Sequence, residues 1–382
     1  MKQHLLTLLF MLISVFGAYS QEMARVEVKE FDSKYFSFAR PVLIYTPSEY
    51  DEATESEYDV VYVFDAQDRA AFDEVQALLH YAVQQPANDR SYIVVGIASP
   101  THWDLDYCRN NDFLPVPEHQ KMTTPYYGSA DKFKKFIKEE LMPYIDSNYN
   151  TSGHTLGIGH SLGASFVLDA ITTDDLFDDC IAISPNLGWD NNRFANNFIN
   201  FDFKNSRPRF IYITMGNEGL NENEYFPESW RPAWEEVKKF VDNSSFPETI
   251  TVKTADFPEN GHNDVVLPAH ILTLKEYARY RYNPSFIDNE SYPVHIELSG
   301  ENIEGDVFIT GNQPGLADWN PNGIKMKKVN DTTFVADLEL HLPAEFKFTQ
   351  GDWDSAIGVS NGDSGNIRIS SPQKANKHYK AF

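Results

Sequence analysis

Two apolar runs place the strictest limit on how this chain can fold. Val60–Phe64 and Ile93–Ile97 consist of Val, Ile and aromatic residues with a single glycine. Strands without polar and apolar alternation are buried on both faces, as in parallel sheets covered by helices. Similar runs alternate with stretches of helical period from about Val42 to Arg279, which predicts an α/β domain with a doubly wound, mostly parallel sheet. The predicted strands are Val42–Tyr45, Asp59–Phe64, Tyr92–Ala98, Thr155–Ile158, Cys180–Ser184, Arg209–Met215 and Thr249–Lys253.

Three long helices are predicted within the same region. The first runs from Asp131 to Ser147, because apolar residues recur at helical spacing between Phe133 and Leu141, and Ser129 is a candidate N-cap. The others are Pro227–Val241 and Leu267–Tyr280.

The alternation of apolar runs and helical stretches ends after Tyr282. Residues 283–292 contain Asn283-Pro284 and Asp288-Asn289, and Pro293 follows directly, which predicts a linker. Beyond it, Val294–Leu298 and Val335–Leu340 alternate apolar with polar residues. This pattern predicts a small all-β sandwich or barrel, of which we take the sandwich, over residues 293–382, after a first domain over residues 21–282.

Residues 1–20 are predicted to be a secretory signal peptide. Lys2 precedes an apolar run from Leu5 to Phe16, and the small residues Ala18 and Ser20 suit cleavage before Gln21. The run is shorter than the roughly 20 apolar residues that a membrane span needs. We therefore expect export to the periplasm or the outside, and no membrane span.

Charge and cysteine content limit the partners and the cross-links. The chain carries 32 Lys and Arg against 56 Asp and Glu, a net charge of −24, which argues against nucleic acid as a partner because phosphate binding needs clustered cations. Cys108 and Cys180 are the only cysteines. They permit one disulfide at most, or they are simply buried thiols.

The sharpest motif is the G-x-S-x-G at Gly159–Gly163. It follows the predicted strand Thr155–Ile158 and opens an apolar helical segment from Ala164 to Ile171. That context is what a nucleophile elbow requires, because the serine must sit on a tight turn at a helix N-terminus. Ser161 is therefore the candidate nucleophile, and the backbone N–H of Leu162 is a candidate oxyanion donor.

A serine needs a base and an orienting acid, which in such domains follow it in the order acid, then histidine. His262 is the candidate base, since it lies in a polar loop between a predicted strand and the last helix. Glu218 is the first carboxylate after Arg209–Met215 and is the candidate acid. The other carboxylates that could serve are Glu222, Glu224 and Asp190.

A second oxyanion donor is expected in the turn after Asp59–Phe64. The backbone N–H of Gln67 is the first choice there and that of Ala66 the second. No H-E-x-x-H, C-x-x-C, EF-hand, Walker A or G-x-G-x-x-G spacing occurs in the sequence, so neither a metal nor a cofactor is expected.

Six segments between about Val42 and Tyr280 carry a family resemblance: Val61–Gln67, Arg109–Pro115, Glu140–Ile145, Gly159–Gly163, Ile183–Pro185 and Glu259–His262. Because these segments occur in this order, the chain resembles the putative esterase family of α/β-hydrolases. This family includes enterochelin and other siderophore esterases, S-formylglutathione hydrolase, and feruloyl and acetylxylan esterases. The resemblance implies an α/β-hydrolase fold, with Ser161, Glu218 and His262 as nucleophile, acid and base, and with Gln67 and Leu162 lining the oxyanion hole.

The C-terminal region is similar to the starch-binding modules of amylases. Gly311–Pro321 resembles their G-x-x-x-x-L-G-x-W loop, and Glu345–Phe348 followed by Trp353 resembles their F-K-F…W segment. The resemblance implies carbohydrate binding through Trp319 and Trp353, with Lys347 as a hydrogen-bond donor. A structural tryptophan and a domain that only packs on its neighbour are the alternative.

These features predict an exported serine carboxylic-ester hydrolase. Its substrate would be a siderophore-type or polysaccharide-linked acyl ester, with Arg109 and Trp189 as candidate substrate-binding residues in the cleft. Packing or a surface ion pair is the alternative for each of the two. Two alternatives stay open: a catalytically inactive hydrolase fold that binds glycans, and a serine peptidase that uses the same residues on amides.

Overall fold

The computed structural model of this chain describes residues 24–47, 50, 57–83, 92–100, 107–122, 125, 127–218, 229–281, 290–301, 303–359, 366–369 and 376–381. The predicted signal peptide lies outside the described residues, and so does most of the predicted linker.

The first domain is built on one eight-stranded sheet, which confirms the predicted fold class. Its strand order is β1-β2-β4-β3-β5-β6-β7-β8, antiparallel from β1 to β4 in that order and parallel from β4 to β8. All seven predicted strands are present, and β1 is an additional edge strand. The strands are β1 (Arg25–Phe31), β2 (Arg40–Thr46), β3 (Tyr58–Phe64), β4 (Tyr92–Ile97), β5 (Thr151–His160), β6 (Asp179–Ile183), β7 (Arg209–Met215) and β8 (Ile250–Asp256).

Helices cover both faces of this sheet. One face packs against α1 and α8 around Phe72, and the other packs against α3 to α7 around Phe166. The predicted first helix is divided into α3 and α4 by a π-helical turn at Ile137–Leu141, and Ser129 occupies its N-cap position without a side-chain hydrogen bond. The helices are α1 (Arg69–Val83), α2 (Arg109–Phe113), α3 (Ala130–Phe136), α4 (Met142–Asn148), α5 (Leu162–Thr173), α6 (Trp189–Ile199), α7 (Trp230–Asn243) and α8 (Val266–Arg281).

The second domain is a sandwich of two sheets that share one apolar core, as predicted. One sheet has the order β11-β10-β14-β15 with β16 also on β14, and the other has the order β12-β13-β9-β17. The first of these strands begins at Ser291, two residues before the predicted domain boundary. The strands are β9 (Ser291–Ser299), β10 (Phe308–Gly311), β11 (Ile324–Lys325), β12 (Lys327–Asn330), β13 (Thr333–His341), β14 (Ala344–Thr349), β15 (Ala356–Ile357), β16 (Ile367–Ile369) and β17 (Asn376–Lys380).

A buried ion cluster joins the two domains at the amino end of β3. The Asp59 carboxylate accepts a hydrogen bond from Arg281 Nε at 2.9 Å and another from Arg368 Nη1 at 2.8 Å. Arg281 ends α8, Arg368 lies in β16, and all three side chains are buried. Because a strand rises about 3.3 Å per residue, this contact lies roughly 20 Å from Asp65, which follows the other end of β3.

Candidate active site

The turn between β5 and α5 carries Ser161 in a strained conformation. Its φ of 59° and ψ of −123° are unusual for a residue with a side chain and cost on the order of 1–3 kcal/mol. The backbone N–H of Ser161 donates to the Ile183 carbonyl at 2.9 Å, which ties the turn to β6. A Cβ atom on Gly159 would lie 2.3 Å from the carbonyl carbon of Gly163. The turn can therefore close this tightly only with glycine at position 159.

Ser161, His262 and Glu218 form a continuous hydrogen-bonded line. Ser161 Oγ lies 2.9 Å from His262 Nε2, and His262 Nδ1 lies 2.6 Å from Glu218 Oε1. The Glu218 side chain is fully buried and that of His262 is 16% exposed, so the acid end of the line is closed to solvent. This is the geometry that a serine nucleophile, a general base and an orienting acid require.

The loop that carries Glu218 is held against the histidine loop. The backbone N–H of Asn217 donates to the Asn260 carbonyl at 2.8 Å. A Cβ atom on Gly216 would lie 2.8 Å from Glu218 Oε2 and 2.9 Å from the Asn260 carbonyl oxygen. Arg231 also donates to the backbone carbonyls of Gly216 and Glu218, at 2.5 and 2.8 Å. The loop that carries the carboxylate is therefore fixed from several sides.

The other carboxylates that the sequence left open do not lie in this line. The buried Asp190 carboxylate accepts the backbone N–H groups of Glu118 and His119, at 2.7 and 2.9 Å. Glu222 and Glu224 lie outside the described residues.

The surroundings of the site favour the charged form of Glu218 and the neutral form of His160. Burial raises the pKa of Glu218, but the hydrogen bond to His262 and further hydrogen bonds leave that pKa below its ordinary value. Burial, together with the nearby His262, lowers the pKa of His160 from 6.5 to about 4. His160 is therefore neutral at pH 7, and its Nε2 lies 2.7 Å from the His262 carbonyl oxygen, to which it donates.

Two backbone N–H groups, one in the turn after β5 and one in the turn after β3, are the candidates for stabilising an oxyanion. Leu162 is the first residue of α5, so its N–H is one of the donors that a helix start leaves without an intrahelical partner. In the opposite turn the N–H of Ala66 donates to the Ile97 carbonyl at 3.2 Å, which leaves that of Gln67 as the candidate. The Gln67 side chain accepts from the N–H of Ser99 at 2.8 Å, and this contact fixes the turn to the end of β4.

Arg109 and Trp189, the candidates for substrate contact, each have a partner within the protein. Arg109 Nε and Nη2 lie 2.5 and 2.7 Å from the two carboxylate oxygens of Asp65. Trp189, the first residue of α6, stacks on Phe194 with ring centroids 5.5 Å apart. Both side chains are partly exposed.

The candidate sugar-binding residues lie on one sheet of the sandwich and in its loops. Trp353, in the turn between β14 and β15, is 46% exposed. Lys347 lies on β14 between the buried Phe346 and Phe348, which alternation directs to the opposite face. Trp319 ends a kinked helical turn with a positive φ of 61° and is only half-buried.

Metal and membrane features are absent from the part of the chain that the structure describes. No cluster of three or more His, Cys, Asp or Glu side chains there has the arrangement of a metal site. Within the same residues, no helix combines the length and the apolarity of a membrane span. Cys108 and Cys180 are both buried as free thiols, so they do not form a disulfide.

Sequence reasoning missed two residues that contact His262. Trp230 packs edge-on against the His262 ring with centroids 5.4 Å apart. The ring of His160 lies 4.6 Å from the same ring, and its place inside the G-x-S-x-G motif was the one available signal. Nothing in the sequence around Trp230 indicates this contact.

Comparisons with known proteins agree with this fold. The model of the family described as "Putative esterase" matches residues 33–253. The ferri-bacillibactin esterase BesA of Bacillus subtilis (strain 168) is 26% identical over 242 residues, which are 59% of this chain and 81% of that protein. An IroE-like serine hydrolase from Shewanella oneidensis superposes with a TM-score of 0.56 at 21% identity, over 67% of this chain and 80% of that one. The BES protein from Bacillus cereus superposes with a TM-score of 0.53 at 21% identity, over 67% and 94%.

Proposed function

The chain belongs to the putative esterase family and is an ester-bond hydrolase, and we propose that Ser161, His262 and Glu218 are its catalytic triad. The observation that carries this proposal is the hydrogen-bonded line itself. His262 Nε2 lies 2.9 Å from Ser161 Oγ while its Nδ1 lies 2.6 Å from the buried Glu218 carboxylate. Only an imidazole held at both nitrogens can accept the serine proton in a fixed orientation.

In the proposed reaction Ser161 Oγ attacks the ester carbonyl carbon while His262 Nε2 takes the hydroxyl proton. The N–H groups of Leu162 and Gln67 stabilise the oxyanion of the tetrahedral intermediate, and Glu218 stabilises the imidazolium. His262 then gives the proton to the leaving alcohol, and an acyl-enzyme forms on Ser161. Water, deprotonated by His262, attacks the acyl-enzyme, and the intermediate collapses to release the acid and restore Ser161.

The proposed substrate is a siderophore-type or polysaccharide-linked acyl ester. The name of the Bacillus subtilis relative, a ferri-bacillibactin esterase, supports the first class. The half-exposed indole of Trp353 on a separate sandwich domain supports the second, because such a flat ring suits the apolar face of a sugar. Hydrolysis of a ferric siderophore ester, an acetylated xylan and a feruloylated arabinoxylan, each followed by mass spectrometry of the released acid, distinguishes the classes.

Glycan binding by the second domain is proposed through Trp353, Trp319 and Lys347. Affinity electrophoresis in gels that contain soluble starch or xylan tests it on the full chain. The Trp353→Ala variant is expected to migrate faster than the wild type in the glycan gel, whereas a Val329→Ala variant of another exposed apolar residue is not. Equal migration of wild type and Trp353→Ala in every glycan gel would contradict glycan binding through Trp353.

Export is proposed from the apolar run within residues 1–20. Expression of the whole chain in a bacterial host, cell fractionation and N-terminal sequencing test it. A mature chain that begins at Gln21 in the periplasm or the medium is the expected result. An uncleaved chain that stays in the cytoplasm would overturn it.

The catalytic proposal is tested by hydrolysis of short-chain aryl esters, which need no knowledge of the natural substrate. We expect turnover by the wild type, a loss of at least about 10³-fold in kcat for Ser161→Ala, and unchanged turnover for Ser147→Ala, a serine exposed on α4. Full activity in Ser161→Ala would remove Ser161 from the mechanism. Binding of glycan without ester hydrolysis would favour the inactive-hydrolase alternative, and cleavage of peptide amides would favour the peptidase.

A further inference from the structure

Arg109 connects the two halves of the proposed oxyanion hole. Its guanidinium binds both carboxylate oxygens of Asp65, at 2.5 and 2.7 Å, and its Nη2 lies 3.3 Å from the carbonyl oxygen of His160. Asp65 is two residues before Gln67 in one turn, and His160 is two residues before Leu162 in the other. One planar cation therefore spans both turns.

The Asp65 turn needs such support. Asp65 has a positive φ of 62°, which is uncommon for a residue with a side chain. Its carboxylate accepts a hydrogen bond from Gln67 Nε2 at 2.9 Å, and Oδ2 would lie 3.2 Å from a Cβ atom added to Gly163. The carboxylate is thus in contact with its own turn and close to the start of α5. Without its cation, this partly buried carboxylate would lose its orientation.

The Arg109 side chain also packs on an aromatic ring of its own helix. Arg109 is the first residue of α2, and its guanidinium lies over the ring of the fully buried Phe113 at 5.1 Å from the centroid. Binding an anionic substrate group through the same edge, Nε and Nη2, would require this guanidinium to release Asp65, which bidentate, charge-assisted hydrogen bonds oppose.

We propose that Arg109 is a positioning residue that fixes the spacing of the Gln67 and Leu162 N–H groups, and that it does not bind substrate. This inference rests on the proposed function, since it concerns the oxyanion hole of that mechanism. Loss of one oxyanion donor costs about 10²–10³ in kcat, and a displacement of about 1 Å costs about 10². Arg109→Met should therefore lower kcat by about 10²-fold on an uncharged ester, with KM within about 2-fold.

The test compares two aryl esters of similar length, 4-nitrophenyl valerate and the anionic mono-4-nitrophenyl glutarate. The Arg109→Met variant should lose the same factor in kcat on both esters, and the acidic limb of its pH profile should stay in place because His262 and Glu218 are untouched. Arg69→Met is the matched control. It removes an exposed arginine whose guanidinium pairs with Asp73 and lies over Phe72, both on α1, so both kinetic constants should stay within about 2-fold of wild type.

Two further variants keep the inference falsifiable if Arg109→Met unfolds. Arg109→Lys keeps the cation but not the fork, and should lose about 10-fold in kcat or more. In the cycle of Arg109→Lys with Asp65→Asn, the double variant should be no worse than the worse single variant, because both act through one contact.

Several results would overturn the inference. One is a rise in KM confined to the anionic ester with kcat unchanged, which would make Arg109 a substrate-binding residue. Another is strict additivity of the Arg109 and Asp65 substitutions. Wild-type activity in Ser161→Ala is a different outcome, since it would contradict the proposed function itself.

Discussion

The Glu218→Gln substitution tests the acid of the proposed triad. It keeps the shape of the side chain and removes the negative charge that lies 2.6 Å from His262 Nδ1. In the transition state the imidazole carries a proton at both nitrogens, so its positive charge then faces an amide instead of a carboxylate. The new amide can also hold the imidazole in the wrong tautomer, in which Nε2 carries the proton and cannot accept one from Ser161.

The expected loss can be worked from the distance. Two unit charges 2.6 Å apart attract each other by about 6 kcal/mol at an effective dielectric constant of about 20. Delocalisation over the imidazolium and the remaining dipole of the amide reduce the differential to about 4 kcal/mol, which corresponds to about 10³-fold in kcat at 1.36 kcal/mol per decade. The Michaelis constant should change little, because Glu218 is fully buried and does not face the substrate.

The assay is steady-state hydrolysis of 4-nitrophenyl acetate between pH 6 and 9, with folding checked by circular dichroism. Glu218→Asp is the chemical control, which keeps the charge but shortens the reach by one methylene and should retain more activity than Glu218→Gln. Asp190→Asn is the positional control, since that carboxylate accepts backbone N–H groups at a distance from His262. The reasoning is refuted if Glu218→Gln stays within about 3-fold of wild type, or if Asp190→Asn alone loses about 10³-fold.

Three further predictions concern stability. Because the pKa of His160 is about 4 in the folded chain against an ordinary 6.5, the unfolded chain takes up this proton first, and the free energy of unfolding should fall by up to about 3 kcal/mol between pH 6.5 and 4. Urea titrations should show a shallower fall for His160→Gln, and an equal fall would be contrary evidence. Gly159→Ala should abolish esterase activity and lower the melting temperature, since the added methyl meets the backbone of Gly163; wild-type kcat would contradict this. Arg368→Met should lower the free energy of unfolding by about 1–3 kcal/mol, a limited loss because Asp59 keeps its hydrogen bond to Arg281. It should leave kcat unchanged, because the cluster lies at the opposite end of β3 from the site. A loss of kcat without a loss of stability would contradict this prediction.

The sheet and the serine turn were accessible from the sequence because local patterns specify them. Strands that are buried on both faces, such as β3 and β4, consist almost entirely of apolar residues, and this run is visible in the sequence without knowledge of the packing partners. The G-x-S-x-G motif is likewise specified by sterics, as the 2.3 Å contact at Gly159 shows. His262 and Glu218 could be named as candidates because each follows a predicted strand at the same edge of the sheet.

Other elements could not be read from local sequence. The edge strand β1 is mostly exposed, so burial leaves only a weak pattern in it. Helix α6 contains Asp190, Asn191 and Asn192, which have positive φ values. From the sequence alone, consecutive Asp and Asn residues predict a turn and not a helix. Tertiary contacts hold these residues in place, including the hydrogen bonds that the Asp190 carboxylate accepts from the backbone N–H groups of Glu118 and His119.

The partners of Arg109 lie 44 and 51 residues away along the chain. Only the fold brings Asp65 and the His160 carbonyl to it. From the sequence, substrate binding and an ion pair are equally good predictions for Arg109, and no local pattern indicates that Asp65 is its partner. The same holds for Trp230 and His262, whose contact joins α7 to the loop after β8.

The central claim is that Ser161 is the nucleophile, and covalent labelling tests it most directly. The protein is treated with a serine-directed aryl phosphonate, and the adduct is located by intact mass and peptide mass spectrometry. The account predicts one phosphonyl group per chain, on Ser161, with hydrolysis lost in proportion to labelling and no adduct in Ser161→Ala. An unlabelled, folded and active protein, or a label on any other residue that abolishes activity, would contradict it.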